Sequence, residues 1–188
     1  PSAYAPATSA AIAKLIAETF DPRYIAAVEG GRAENSALLS QRFDTIFFTG
    51  SVAVGKVVME AAAKHLTPLT LELGGKSPCI VDKTAQIGRA ARRITFGKFL
   101  NAGQTCVAPD YVLVQEDVKD SLIEGIMAVI HEFFLDEGYI EENYPHIINE
   151  KHFDRLMALM EGERILTGGR GVREKRFIEP TVLDGITF

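Results

Sequence analysis

A chain of 188 residues, 47% apolar and 24% charged, has the composition of an ordinary globular protein and can bury one large core or two modest ones. Its formal charge of −5 gives no electrostatic reason to expect nucleic acid or an anionic membrane as partner. No apolar run reaches the ~18 residues that a membrane span requires. Two cysteines, Cys79 and Cys106, make no disulfide framework; with no signal peptide in view, free thiols in a reducing compartment are expected, and the cytoplasm as location. A start at Pro1 without Met, a stop at Phe188 just after a strand-like run, and no linker or polar tail lead to the expectation of a piece of a longer polypeptide.

In chain order, Thr8 or Ser9 is expected to cap a helix with Ile12, Leu15, Ile16 and Phe20 at helical spacing, ended by Asp21-Pro22. Tyr24 to Val28, bounded by Gly30-Gly31, reads as a buried strand, and Glu34 to Gln41 as a helix. Thr45 to Phe48 is a strand with Thr49-Gly50-Ser51 as its exit turn. Val52 to Leu66 is a helix whose apolar side is Val54, Val57, Val58, Ala61, Ala62 and Leu66. Pro68 stops it, and Leu69 to Leu73 returns to strand. This alternation predicts a parallel, crossover-connected sheet over residues 1–73, with Gly74-Gly75 a natural place to change direction or domain. Beyond it come a strand at Ser77 to Val81, a helix from about Gln86 to Leu100, a strand at Tyr111 to Gln115, and a helix from Asp117 to near Phe134. Asp136 to Tyr144 is polar and loop-like. Asn149 to Met160 is a helix with Phe153, Leu156, Leu159 and Met160 inward. Gly168-Gly169 and Gly171 mark a turn, and Phe177 to Leu183 is a strand interrupted by Pro180. Arg89, Arg92 and Arg93 form the most basic spot, spaced as a solvated or salt-bridged helix face.

Three places carry residues suited to chemistry. Gly50-Ser51-Val52-Ala53-Val54-Gly55 follows a strand and opens a helix, where free N–H groups and the positive helix end suit a phosphate. It is neither the Gly-x-Gly-x-x-Gly fingerprint nor a Lys-Ser/Thr phosphate loop, so an ordinary strand-to-helix turn is the competing reading. Cys106 also has two readings: a buried, inert thiol, or a nucleophile in a loop of small and polar neighbours whose N–H groups stabilise negative charge. Cys79, inside an apolar strand, reads as buried. Glu72, flanked by Leu71 and Leu73, either points to solvent or is held in a partly dry pocket with a raised pKa. His65, His131, His146 and His152 show no metal-ligand spacing with the cysteines, and no metal is expected.

Phe48-Thr49-Gly50-Ser51, then Leu71-Glu72-Leu73-Gly74-Gly75-Lys76-Ser77-Pro78, then Gly103-Gln104-Thr105-Cys106 resemble the aldehyde dehydrogenase superfamily in that order and spacing. Lys76-Ser77-Pro78-Cys79 and Ala108-Pro109-Asp110-Tyr111 resemble its class 3 branch, and the resemblance covers nearly the whole chain. It implies an α/β fold of Rossmann-like parallel sheet layers with helices on both faces, in parts of two adjacent domains. Residues 1–73 would be the latter part of an NAD(P)-binding domain, and residues 74–188 the first part of a catalytic domain. The implied activity is NAD(P)-dependent oxidation of an aldehyde to its acid. Cys106 would be the nucleophile, passing through a thiohemiacetal and a thioester, and Glu72 would activate the hydrolytic water. Gly50 and Ser51 match the pyrophosphate turn, Val54 a contact near the adenine, and the Leu73 carbonyl a contact to the nicotinamide amide; His152 and Arg155 align near the nicotinamide ribose. The resemblance further implies NAD or NADP as cofactor, an aromatic or medium-chain aliphatic aldehyde as substrate, no metal, and a homodimeric parent enzyme.

Departures from the family pattern qualify these expectations. Ala3 stands where many NAD-preferring members carry a glutamate that pairs with the ribose hydroxyls, so NADP should be tolerated. The family's oxyanion-hole asparagine, its later glutamate-phenylalanine motif and its dimer arm fall outside residues 1–188. The chain by itself is therefore expected to be inactive. Two other readings stand beside the dehydrogenase: a thiol-dependent esterase or acyl-transfer activity of Cys106 and Glu72, and a catalytically incomplete structural fragment with open strand edges.

Overall fold

A computed structural model describes residues 2, 4–135 and 143–186, and the chain divides into two units, Pro1–Gly74 and Gly75–Phe188. Pro1 and Ala3 lie outside the described residues, and with them the expected cofactor-selecting position.

In the first unit, α1 (Pro6–Thr19) begins earlier than expected, with Ala5 as N-cap and Pro6 inside the first turn. Proline costs no intrahelical hydrogen bond there and its φ is already helical. Ser9, an expected cap, instead donates its hydroxyl to the Ser2 carbonyl at 2.7 Å. The strand expected at Tyr24 to Val28 does not form. No described strand pairs with it, Tyr24, Ile25 and Val28 are exposed, and the Tyr24 and Ile25 N–H groups donate to the Asp21 carbonyl at 2.9 and 3.2 Å in a turn rather than to a ladder. α2 (Arg32–Leu39) starts where the Glu34 carboxylate accepts the Gly31 N–H at 2.7 Å.

β1 (Ile46–Thr49) and β2 (Leu69–Glu72) pair in parallel, Ile46 opposite Leu69 and Thr49 opposite Glu72. The crossover between them is α3 (Val52–Ala63), which buries Gly55, Val58 and Ala62. Val54 and Val57, expected on the apolar side, are exposed, and Leu66 lies beyond the helix at φ 52°, 90% exposed. The reason is visible at Gly55. A Cβ there would stand 3.0 Å from Leu73 Cδ2, so the bare backbone of Gly55, with Val58, sets the buried face instead of Val54 and Val57.

In the second unit, β3 (Ser77–Val81) and β4 (Pro109–Val114) are again parallel, from Pro78 opposite Tyr111 to Val81 opposite Val114. α4 (Ile87–Phe99) connects them and α5 (Glu116–Ile130) follows, continuing into a π-type turn at His131–Leu135. α4 and α5 come together at Ala91 and Gly125, where an added Cβ on the glycine would meet the alanine Cβ at 2.9 Å. Val81, Ile94, Phe99, Leu122, Ile126 and Ile130 close the core around them. Arg92 pairs with Glu132 at 2.8 Å and lies over the Phe133 ring, so this part of the basic helix face is salt-bridged.

Residues 136–142 of the expected loop lie outside the described residues, and Tyr144, expected in that loop, is buried. Edge-on ring contacts run from Phe99 to Phe134 at 6.0 Å, to Tyr144 at 5.2 Å and to Phe177 at 6.2 Å, drawing Tyr144 inward. α6 (Glu150–Ala158) is capped by Asn149, whose Oδ1 accepts the His152 N–H at 2.9 Å. It buries Phe153, while Leu159, expected inward, is exposed beyond its end. The last segment differs most from expectation. β5 (Arg164–Thr167) pairs antiparallel with β8 (Val182–Asp184), and β6 (Gly171–Val172) with β7 (Phe177–Ile178). The single strand expected from Phe177 to Leu183 is two strands in different pairs. Pro180 supplies no N–H to a ladder there, and Gly168 and Gly169, at φ 75° and 90°, reverse the chain between β5 and β6.

Candidate active site

At the end of the first strand pair, the Gly50 N–H donates to the Glu72 carbonyl at 3.0 Å, so the ladder runs one residue past Thr49. The chain then turns into α3. The Ser51 hydroxyl accepts the Val54 N–H at 3.3 Å, and the Ser51 carbonyl accepts the Gly55 N–H at 2.8 Å. The residues from Ser51 to Val54 are exposed, and the first turn carries no acidic side chain. The start of this 12-residue helix therefore presents N–H groups and a positive dipole end to solvent, without a carboxylate to compete. These residues fit an anionic group such as a pyrophosphate. Gly50, Ser51, Val54, Glu72 and Leu73 all lie in this part of the first unit, with Leu73 half-buried against Gly55 and Glu72 exposed.

The second unit builds a different kind of loop. Past α4, Asn101 and Ala102 have φ of 54° and 52°, and Gly103 follows at 75°. Each left-handed non-glycine residue costs about 1 kcal/mol, so such a run persists only where its surroundings enforce it. The Gln104 side chain does so. Its Nε2 donates to the Asn101 and His146 carbonyls, each at 3.1 Å, and its Oε1 accepts the Ile148 N–H at 2.9 Å. The Asn101 side chain returns a bond to the Gln104 carbonyl at 3.3 Å. Two residues on, the Cys106 carbonyl accepts the Ser77 hydroxyl at 3.4 Å, and Gly75 passes so close that an added Cβ would overlap that same oxygen.

Cys106 itself is exposed, which removes the buried, inert reading. Cys79 on β3 is half-buried rather than fully buried, and burial pushes its thiol above the ordinary range. The loop leaves through Asp110, which Lys76 and Lys98 meet at 3.0 and 3.4 Å. Partial burial works against ionisation of Asp110, but the bonds and charges of the two lysines outweigh it and hold the carboxyl below the usual range.

His152 and Arg155 are both exposed on α6, one turn apart. The Gln104 clamp ends at residues 146–148, next to the Asn149 cap that starts this helix. Among the described residues, no group of three His, Cys, Asp or Glu side chains is arranged to hold a metal ion. The clamp role of Gln104, the Ser77 contact and the Asp110 lysine pair were not foreseen from the sequence. Asn101-Ala102-Gly103 did carry a signal, since Asn and Gly are the residues that tolerate left-handed backbone.

Residues 1–187 match the aldehyde dehydrogenase family. Aldehyde dehydrogenase family 3 member A2 of Macaca fascicularis is 46% identical over 99% of this chain and 38% of its own length. The dimeric NADP-preferring aldehyde dehydrogenase of Canis lupus familiaris is 47% identical over 92% of this chain and 38% of its own. AldH of Staphylococcus aureus, solved in a substrate-bound state, superposes with a TM-score of 0.91 at 49% identity, over 100% of this chain and 41% of that one. The chain thus spans about two fifths of the length of these relatives. With the match running through both units and through the turn, the carboxylate and the thiol described above, the chain belongs to the aldehyde dehydrogenase family.

Proposed function

We propose that this chain is the part of an NAD(P)-dependent aldehyde dehydrogenase that supplies the nucleophile, the hydrolytic base and a pyrophosphate-binding turn. The observation that carries the proposal is Cys106: an exposed thiol on a loop of left-handed residues held by a three-way side-chain clamp. Residues 1–73 serve the cofactor and residues 74–188 the substrate carbon.

The Cys106 thiolate attacks the aldehyde carbon. A C–S bond forms, the carbonyl π pair moves to oxygen, and the Cys106 N–H donates to the resulting oxyanion. A bound nicotinamide supplies the acceptor for the hydride that leaves this carbon. Cys106 then holds the acyl group as a thioester. Glu72 takes a proton from water as the water oxygen adds to the thioester carbon, the C–S bond breaks, and the acid leaves with the thiolate restored. In the first unit, the Ser51-capped start of α3 would hold the pyrophosphate, Val54 would contact the adenine, and the Leu73 carbonyl would orient the nicotinamide amide. His152 and Arg155, one turn apart on α6, would serve the nicotinamide ribose.

Aromatic and medium-chain aliphatic aldehydes are the proposed substrates, both NAD and NADP are accepted, and the whole enzyme is a homodimer; the name of the Canis lupus familiaris relative calls that protein dimeric. The test is NAD(P)H formation at 340 nm with benzaldehyde and a medium-chain aldehyde, in the longest polypeptide carrying this sequence and in its Cys106→Ser variant. Cys106-dependent activity supports the proposal. Ester hydrolysis that needs Cys106 but no nucleotide, without aldehyde oxidation, would replace it with the esterase reading.

A further inference from the structure

Gln104 uses both N–H donors of its amide and one of its acceptor sites, and the partners are all backbone: the Asn101 and His146 carbonyls and the Ile148 N–H. A carboxylate of the same shape would keep only the acceptor, and an aliphatic chain would keep nothing. The segment it grips is fixed from another direction as well. The Ile147 N–H donates to the Arg176 carbonyl at 2.8 Å, the Arg176 guanidinium donates to the Ile148 carbonyl at 3.0 Å, and Ile147 is buried. Residues 146–148 are thus an anchored rail, and Gln104 hangs the cysteine loop from it. A single residue, Thr105, separates the clamp from Cys106. The left-handed backbone at Asn101 and Ala102, adopted against its own preference, would relax if the clamp were lost.

We propose that Gln104 is a positioning residue for the nucleophile: by tying the loop to residues 146–148 it sets where the Cys106 sulfur meets the carbonyl carbon. The inference rests on Cys106 being the nucleophile. It predicts a loss in turnover out of proportion to any loss of folded protein or of cofactor binding, because a displaced sulfur is still present and still exposed.

The experiment compares Gln104→Leu, Gln104→Glu and Cys106→Ser in the longest polypeptide carrying this sequence. It reads kcat, KM for NAD(P), folded fraction by near-UV circular dichroism, and the rate of Cys106 alkylation by iodoacetamide. Both Gln104 variants should lose roughly 100-fold in kcat, the cost of about 1 Å of misplacement. KM for the cofactor and the alkylation rate should stay within about threefold, since neither requires the aligned sulfur. Gln104→Glu keeps the shape and the Ile148 contact, so it carries the test if Gln104→Leu does not fold. Wild-type kcat in a folded Gln104 variant, with Cys106→Ser inactive, overturns the positioning role alone. A kcat loss that vanishes once scaled to the folded fraction overturns it too. Full activity in Cys106→Ser overturns the underlying reading of the nucleophile instead.

Discussion

The turn after β1 and the loop after α4 both present candidate groups to solvent, helix N–H groups in one and the Cys106 thiol in the other, but they are built on opposite principles. At Gly50–Ser51 the backbone is ordinary: Ser51 sits at φ −77° and ψ 154°, caps its helix as serine commonly does, and leaves the first N–H groups of α3 pointing outward. Nothing there is strained, and what it offers is a generic electropositive helix end. At Asn101–Cys106 three successive residues take left-handed backbone, and a glutamine, a serine and a close glycine hold the result in place. A diffuse charge such as a pyrophosphate needs only a favourable field. A nucleophile must be placed to within a fraction of an ångström, and that placement requires support from several directions.

The largest effect that would test this contrast is at Cys106. Cys106→Ser should lower aldehyde oxidation by roughly 10⁴-fold or more, read as NAD(P)H formation at 340 nm, while the protein still melts cooperatively. Retained oxidation would end the view of this loop as a device for a single atom. Next comes Gly75→Ala. Its Cβ would overlap the Cys106 carbonyl oxygen, a backbone atom that cannot swing aside, so the loop itself has to move. A kcat loss of about 10²-fold is expected, with melting temperature much less affected.

A smaller effect separates the two regions by backbone alone. Gly103 has φ 75°, and its Cβ would stand 3.2 Å from the Lys98 carbonyl oxygen; alanine there should destabilise by about 1–2 kcal/mol in urea unfolding. Gly50 has no positive φ, and its Cβ would meet only the far end of the Phe48 ring, at 2.5 Å, which can rotate away. Gly50→Ala should therefore cost clearly less than Gly103→Ala. Equal costs would mean that the turn after β1 is as constrained as the cysteine loop.

How much of this was legible in the sequence follows from what each feature depends on. β1, β3, α4 and α5 were readable because their apolar spacing and their proline or glycine boundaries are local. The parallel pairing of β1 with β2 followed from the helix between them. Tyr24 to Val28 looked equally like a strand, but a strand exists only with a partner, and composition does not report one. β5 to β8 are two to four residues long, too short for any period to show, and their pairing depends on reversals at Gly168 and Gly169. At the candidate site, the motifs singled out Cys106, Glu72 and the α3 turn. Gln104 was visible only as a motif letter, since two of its bonds reach 42 and 44 residues along the chain. A clamp made of backbone groups leaves no trace in the identity of its partners.

The least effect concerns the base of the cysteine loop and is read through pH. Asp110 enters β4 between Lys76 and Lys98, and its carboxyl is held below the ordinary range; partial burial opposes this, and the two lysines more than offset it. A carboxyl whose folded value lies below its unfolded one, near ~3.9, adds stability above that pH and loses it as pH falls through the folded value. Asp110→Asn should therefore lower the melting temperature at pH 7, and the gap from wild type should narrow steadily below about pH 4. Lys76 is largely exposed, so much of its share is screened by solvent, and the gap at pH 7 should shrink further in high salt. The turn after β1 has no acidic residue in the first turn of its helix and should show no matching pH response when Ser51 is replaced by Ala. A gap for Asp110→Asn that is constant from pH 7 to pH 3 would mean that the aspartate supports the loop by shape and not by charge.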